Sequence, residues 1–197
     1  MNIAIIGAGA IGSAIARALS ARGIPALIAN SRGAASLAQL AAGLPGITPA
    51  GIEQAARADL VFLAVPWSKI PAAVRDLGPW NGRIVVDANN PIEAPAFQPI
   101  DLGGRASSAV IADLLPGARV VKAFNHLLPA LLAGDPRAEG GRRVLFLSGD
   151  DAAAKTVVAS LIDQLGFFAL DLGGVEAGRM QQFPGGPLPA LNLVKFP

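Results

Sequence analysis

The residues whose type and spacing can do chemistry begin at the amino terminus. Gly7, Ala8, Gly9, Ala10, Ile11 and Gly12 follow the apolar run Ile3-Ala4-Ile5-Ile6 at G-x-G-x-x-G spacing. A second apolar run ends in Asn30-Ser31-Arg32, about twenty residues further on. The three glycines play different parts. Gly7 permits a tight turn, Gly9 admits a pyrophosphate close to the backbone, and Gly12 lets a helix lie close on a sheet. The free N–H groups and the positive end of that helix then face the phosphates. The competing reading is a Gly/Ala-rich turn in a chain with 23 glycines. The second strand and its polar end favour dinucleotide binding.

Asn30-Ser31-Arg32 selects the dinucleotide. An acidic residue at this strand end would hold the ribose hydroxyls of NAD and repel a 2′-phosphate. Here a hydroxyl and a guanidinium follow Asn30 instead, and arginine binds phosphate with a fork of donors, so NADP(H) is the expected cofactor. The competing reading of Arg32 is a solvated loop residue.

Further polar groups follow other apolar runs: Val65-Pro66-Trp67-Ser68, Asn89-Asn90-Pro91, Lys122 to His126, and Ser148-Gly149-Asp150. Ligands of open α/β sheets bind beyond the carboxyl ends of the strands, and all of these are expected on that edge. Pro66 and Trp67 could lie under the cofactor, or Trp67 could cap the sheet. Asn89 and Asn90 could hold ribose or carboxamide, or shape the turn before Pro91. Lys122 could face a phosphate or an acidic substrate. His126, the one group titrating near neutrality, is the candidate catalytic residue, with a structural role as the alternative. Asp59 and Asp87 read as strand-end or capping residues.

The elements that must position these groups are strands at Asn2–Ile6, Ile24–Ala29, Asp59–Val65, Arg83–Ala88, Arg119–Ala123, Arg143–Leu147 and Phe167–Asp171. Helices are expected at Ile11–Ala21, Ala34–Ala42, Gly51–Arg57, from Ser68 to Leu77, at Ser107–Leu115 and at Ala152–Leu165, with an irregular stretch from Pro91 to Leu102. Near-continuous apolar strands alternating with helices mean an α/β fold with a doubly wound, mostly parallel sheet. Residues 1–172 form this Rossmann-type domain. Residues 173–197, rich in glycine and proline, form a tail that completes a substrate pocket or a dimer contact.

Composition removes other chemistries. The chain has no cysteine and no tyrosine, which excludes thiolate catalysis and the Tyr-Lys chemistry of short-chain dehydrogenases. A single histidine and no cysteine leave no metal site to expect. Sixteen basic residues are scattered among 14 acidic ones, and aromatics are 5%, so no nucleic-acid partner is expected. Mean hydropathy is +0.49, carried by alanine and glycine rather than by a membrane span, and a cytoplasmic location is expected. No nucleophile and no acid–base pair stands out. Direct hydride transfer between two bound carriers needs neither.

These segments resemble, in order, those of NADPH-dependent coenzyme F420 reductases. The match is carried by the opening glycine turn, Ala29-Asn30-Ser31-Arg32-Gly33, Leu63-Ala64-Val65-Pro66-Trp67, Val86-Asp87-Ala88-Asn89-Asn90-Pro91 and Val120-Val121-Lys122-Ala123-Phe124-Asn125. It runs from Met1 to about Leu172, and Pro184-Gly185-Gly186-Pro187-Leu188 is similar to the tails of bacterial members. The resemblance implies hydride exchange between NADP(H) and the deazaflavin coenzyme F420, often in a homodimer. It places Ser31 and Arg32 at the 2′-phosphate, Gly7 to Gly12 at the pyrophosphate, and Pro66 with Asn125 near the nicotinamide. His126 is a departure, standing where relatives carry threonine. Two other functions remain open: reduction of another small-molecule acceptor (flavin, quinone, imine or ferric chelate), or a non-enzymatic NADP(H)-binding sensor.

Overall fold

The computed structural model describes residues 1–93 and 96–197. Its frame is a sheet in the order β11 (Phe168–Asp171), β10 (Gly141–Ser148), β8 (Arg119–Ala123), β5 (Ile84–Asp87), β4 (Leu60–Leu63), β1 (Ile3–Ile6), β2 (Ala26–Ala29), β3 (Ile47–Pro49). Two short strands, β6 (Ile92–Glu93) and β7 (Gln98–Pro99), pair separately. They occupy part of the stretch expected to be irregular, and residues 94–95 of that stretch lie outside the described residues. The short strands β9 (Arg137–Ala138) and β12 (Val194–Lys195) both pair with β10.

From β3 through β8 all neighbours are parallel. β10 reverses: it pairs antiparallel with β8, with Leu147 opposite Ala123 and Ser148 opposite Lys122, and β11 runs parallel to β10. This reversal moves one group expected at the ligand edge. Ser148 stays level with Lys122 at the carboxyl edge, but the chain then runs back along β8, with Gly149 beside Val120 and Asp151 within 4.0 Å of Arg119, so Gly149 and Asp150 leave the edge that holds Gly7, Asn30 and Asn89. Apolar runs do not encode strand direction, and periodicity could not have shown this.

The central strands are buried on both faces, as their unbroken apolar runs require. Alternation along β1 sends Ile3 and Ile5 into one core and Ala4 and Ile6 into the other. The first core contains residues of α1 (Ala10–Ala21), α6 (Pro129–Ala133) and α7 (Ala152–Gln164), with Ile15, Leu19, Leu132, Val158 and Ile162 buried. The second contains residues of α3 (Ile52–Ala55), α4 (Ile70–Val74) and α5 (Ser107–Leu114), together with the buried indole of Trp80. α2 (Ala38–Ala42) buries none of its residues. Helices on both faces of a mostly parallel sheet make the doubly wound α/β fold expected from the sequence.

The last residues are not a loose appendix. A 3₁₀ segment, Val175–Gln181, buries Gln181 fully, and β12 adds a strand beside β10. Among the described residues no helix is long and apolar enough to cross a membrane.

Candidate functional site

The glycine turn is shaped by what its side chains lack. Gly7 has φ +111°, and a Cβ there would sit 2.0 Å from the Ala64 carbonyl oxygen, at the end of β4. A Cβ on Gly12 would lie 1.9 Å from the Gly7 carbonyl oxygen. These two glycines are needed by the fold itself. Gly9 is different: a Cβ there would meet nothing within 4 Å, so its absence keeps open space in front of the turn. Gly9 is also the N-cap of α1, and no side chain caps that end. The first amides of α1 are left free of intrahelical partners and can take an anion.

At the end of β2 the three polar residues divide. Asn30 is buried, and its Oδ1 accepts from the Arg32 amide at 2.9 Å while its Nδ2 donates to Ser36 Oγ at 3.0 Å. Expected as a ligand contact, Asn30 instead spends its side chain inside the turn. That closed turn holds Ser31 and Arg32 outward, and both are exposed. The Arg32 guanidinium has no ion-pair partner among the described residues. Open space at Gly9, an uncapped helix end and an unpaired guanidinium at the end of the next strand fit a phosphorylated dinucleotide.

The ends of β4, β5 and β8 are built in the opposite way. Asp87 and Lys122 are buried to 0% and 1% exposure and form an ion pair of 3.1 Å. Lys122 Nζ also donates to the Asn89 carbonyl at 2.9 Å, and Ser108 Oγ donates to Asp87 Oδ2 at 2.6 Å. The other carboxylate oxygen accepts from the Asn89 amide and from Asn89 Nδ2, both at 3.0 Å. Asn89 in turn donates to the Leu63 carbonyl at 2.9 Å and accepts from the Val65 amide at 3.0 Å. Lys122 therefore does not face a phosphate or an acidic substrate. Its charge is matched by Asp87 inside the protein, where an unpaired ammonium would be costly. The Asn89 side chain is likewise occupied in tying β4 to β5, leaving no free group for ribose. Val65 contributes its amide to this tie. Pro66 is exposed beyond it, and Trp67, half-buried, opens a 3₁₀ turn and packs on the second core.

Asn125 follows β8 and is bound from two sides. Its Nδ2 donates to Asn90 Oδ1 at 3.0 Å and to the Gln181 carbonyl at 2.6 Å, while its own Oδ1 is buried without a partner. A neighbouring link ties Asn90 Oδ1 to the Phe183 amide at 3.0 Å. The tail is thereby fastened to the strand edge beside Asn125.

His126 is buried at 3% exposure, its ring tilted against Phe146 with centroids 4.6 Å apart. Neither ring nitrogen completes a hydrogen bond. Burial pushes its pKa down from 6.5 to about 4, and the nearby Val144 backbone opposes this more weakly. At neutral pH the ring is uncharged and out of reach of solvent. The candidate catalytic residue is thus part of the core at the end of β8.

Comparison with known proteins bears on the whole arrangement. The family model for NADP oxidoreductase, coenzyme F420-dependent, matches residues 2–91. A structure of a protein from Arthrobacter sp. FB24, provisionally named an F420-dependent NADP-reductase, is 32% identical, with 91% of this chain and 87% of that one covered and a TM-score of 0.77. A hypothetical protein from Sinorhizobium meliloti is 52% identical over 99% of this chain and 96% of its own, with a TM-score of 0.94. The chain belongs to the F420-dependent NADP oxidoreductase family. It is an NADP-dependent oxidoreductase. An imine reductase from Myxococcus stipitatus in complex with NADP⁺ shares the fold at 18% identity and a TM-score of 0.64, with 90% of this chain and 57% of that one covered. No curated protein matches significantly.

In this family member several residues that organise the edge carried no local signal. Ser108 lies in the first turn of α5 and reaches Asp87 across 21 positions of sequence. Gln181 Nε2 contacts the Lys122 carbonyl at 3.3 Å and Ser148 Oγ at 3.1 Å from the tail. Glu93 accepts from the Ser68 amide at 2.8 Å, closing the loop after β4. Their partners are remote in sequence, and only covariation or the fold itself could have found them.

Proposed function

We propose that this oxidoreductase passes hydride between NADP(H) and a deazaflavin of the coenzyme F420 type. Gly7 to Gly12 and the free amides of α1 take the pyrophosphate, and Ser31 with Arg32 takes the 2′-phosphate. Pro66 and Asn125 would border the nicotinamide, which when bound would supply the hydride chemistry. The tail, fastened through Asn90 and Asn125, would cover the space left for the second carrier.

The observation that carries this reading is that, at the ends of β5 and β8, neither Asp87 nor His126 is free to exchange a proton. The chain's one imidazole is buried and neutral, and the Asp87 carboxylate is neutralised by Lys122. Reduction of an imine or a carbonyl asks the protein for a positioned proton donor. Hydride passage between two conjugated carriers asks mainly for alignment and exclusion of water, and solvent can provide the one proton that balances the reaction. Membership of the family points the same way.

The test is spectroscopic. The visible absorbance of oxidised deazaflavin should bleach on addition of NADPH and the enzyme, and far more slowly with NADH. An absence of bleaching between pH 5 and 9, with NADPH bound, would reject the deazaflavin as acceptor.

A further inference from the structure

A separate electrostatic problem lies on β9, β12 and the first residues of β10, at the other end of β10 from Ser148. Arg142 on β10 is the register partner of Arg137 on β9 and of Lys195 on β12. Directly opposed residues of antiparallel strands share a face, with Cβ atoms about 4.5–5.5 Å apart. Three cations therefore stand in one row across three strands. Like charges opposed in this way destabilise a sheet.

Within the protein, Arg142 Nη1 donates to the Phe167 carbonyl at 3.1 Å and Lys195 Nζ to the Phe196 carbonyl, contacts with neutral groups that leave the net charge of the row in place. Asp163 pairs with Arg142 at 3.0 Å, in an ion pair whose two side chains are 39% and 53% exposed. No ion pair among the described residues closes on Arg137 or Lys195. Phe168 lies under the row, its ring centroid 5.3 Å from the Arg142 guanidinium carbon and 6.0 Å from Lys195 Nζ. Such contacts attract each cation to the ring without reducing the repulsion between them. All three cations and Phe168 line a cavity of about 340 Å³, with Phe196 and Pro197 on its wall and, among the described residues, no acidic side chain in its lining. That volume is at the small end of the range for small-molecule sites, about 300–1,000 Å³.

We propose that the Arg137–Arg142–Lys195 row is a binding site for a small multivalent oxyanion. The row extends over two inter-strand spacings, about 10 Å, more than one oxyanion group can bridge. A ligand with two or three negative groups matches it, and each group would take a charge-assisted hydrogen bond from a guanidinium or ammonium. Phosphate and carboxylate groups satisfy this chemistry equally. The site shares no residue with the nucleotide edge and does not depend on which acceptor takes the hydride.

The experiment uses the whole chain at low ionic strength with NADP⁺ saturating, so that the glycine turn is already filled. Melting temperature is followed against pyrophosphate and against citrate, with sodium chloride at matched ionic strength as the screening control. The expected result is a rise well beyond the sodium chloride control with at least one probe. A larger response to pyrophosphate assigns phosphate groups, and a larger response to citrate assigns carboxylates. Arg137→Gln and Lys195→Gln should each weaken the apparent affinity about tenfold or more, the loss of one charge-assisted bond. Without probe anions, Lys195→Gln should melt above the wild type because one like-charge contact is relieved. The KM for NADPH should be unchanged in both variants. A wild-type response that follows ionic strength alone, or an undiminished response in both variants, would overturn the proposal.

Discussion

The two halves of the carboxyl edge solve opposite problems. Around β1, α1 and β2 the edge is made of missing side chains, free amides and a guanidinium without a partner. Around β5, β8 and the tail it is made of buried polar groups: Asp87, Asn89, Ser108 and Lys122 satisfy one another, while the His126 ring and one oxygen each of Ser107, Asn125 and Gln181 are buried without partners. The first is an open cradle that gains its partners from a ligand. The second is an interlock in which the protein supplies its own partners. The contrast explains why residues of similar polarity, such as Arg32 and Lys122, have unrelated roles a few strands apart. What separates them is whether water or protein solvates the charge.

The sharpest way to break this comparison is to remove a partner from the interlock. Lys122→Met strands Asp87 as an unpaired buried carboxylate, and the chain should lose about 3–5 kcal/mol. A drop in the urea midpoint with unchanged slope would register it. A variant as stable as the wild type would mean that the pair is not buried as described.

His126 offers the next largest effect, through pH. Its folded pKa, about 4, lies below the unfolded value of 6.5, so between these values the unfolded chain binds the proton and the folded chain resists it. Stability from this residue is fully present above pH 6.5 and is lost as pH falls to about 4, a change of about 3 kcal/mol. Chemical denaturation from pH 4 to 7 should show that slope, and His126→Phe should flatten it. A slope that survives the substitution would assign the effect to another group.

On the open side, Arg32→Ala should weaken NADPH by about 1.5–3 kcal/mol, as expected for a hydrogen bond to a charged phosphate. Binding of NADH and folding stability should hardly move. Titration with both nucleotides decides it, since equal losses would remove Arg32 from the 2′-phosphate.

The glycine pair sharpens the comparison further. Gly12→Ala meets the Gly7 carbonyl at 1.9 Å and should cost about 1–3 kcal/mol of stability through overpacking. Gly9→Ala meets no protein atom and should leave stability within about 1 kcal/mol, while weakening NADPH about tenfold, or 1.4 kcal/mol. Melting curves together with nucleotide titrations separate the two. If Gly9→Ala binds NADPH normally, the open space in front of it is not the pyrophosphate path.

How much is legible in the sequence follows the same division. The glycine turn, the buried strands and the helices over both faces follow from spacing and periodicity within short windows, and the structure places them within a few residues of expectation. β3, α6, β9 and β12, all short, have no such period and give no local sign of themselves. At the site, Gly7, Gly9, Gly12 and the exposed Arg32 stand where their spacing puts them. Asn30, Asn89 and Lys122 are candidates by polarity at a strand end, and polarity alone does not say whether a side chain points to ligand or to core. Their partners, Ser36, Leu63, Val65 and Asp87, have to be seen. The expectation for Ser148-Asp150 fails after Ser148, because an apolar strand reads alike in either direction.

The sequence by itself determined that this chain folds as a doubly wound α/β domain, that it presents a dinucleotide turn, and that it lacks the acid that would prefer NAD. Those properties depend on local spacing, on glycine positions and on residue types that are absent. Only the tertiary structure decided that Lys122 and His126 belong to the interior, that β10 runs backwards, and that Arg137, Arg142 and Lys195 form one row. Each of these depends on which groups meet across the sheet, and pairing between distant segments is set by packing of the whole core, not by any stretch of chain alone.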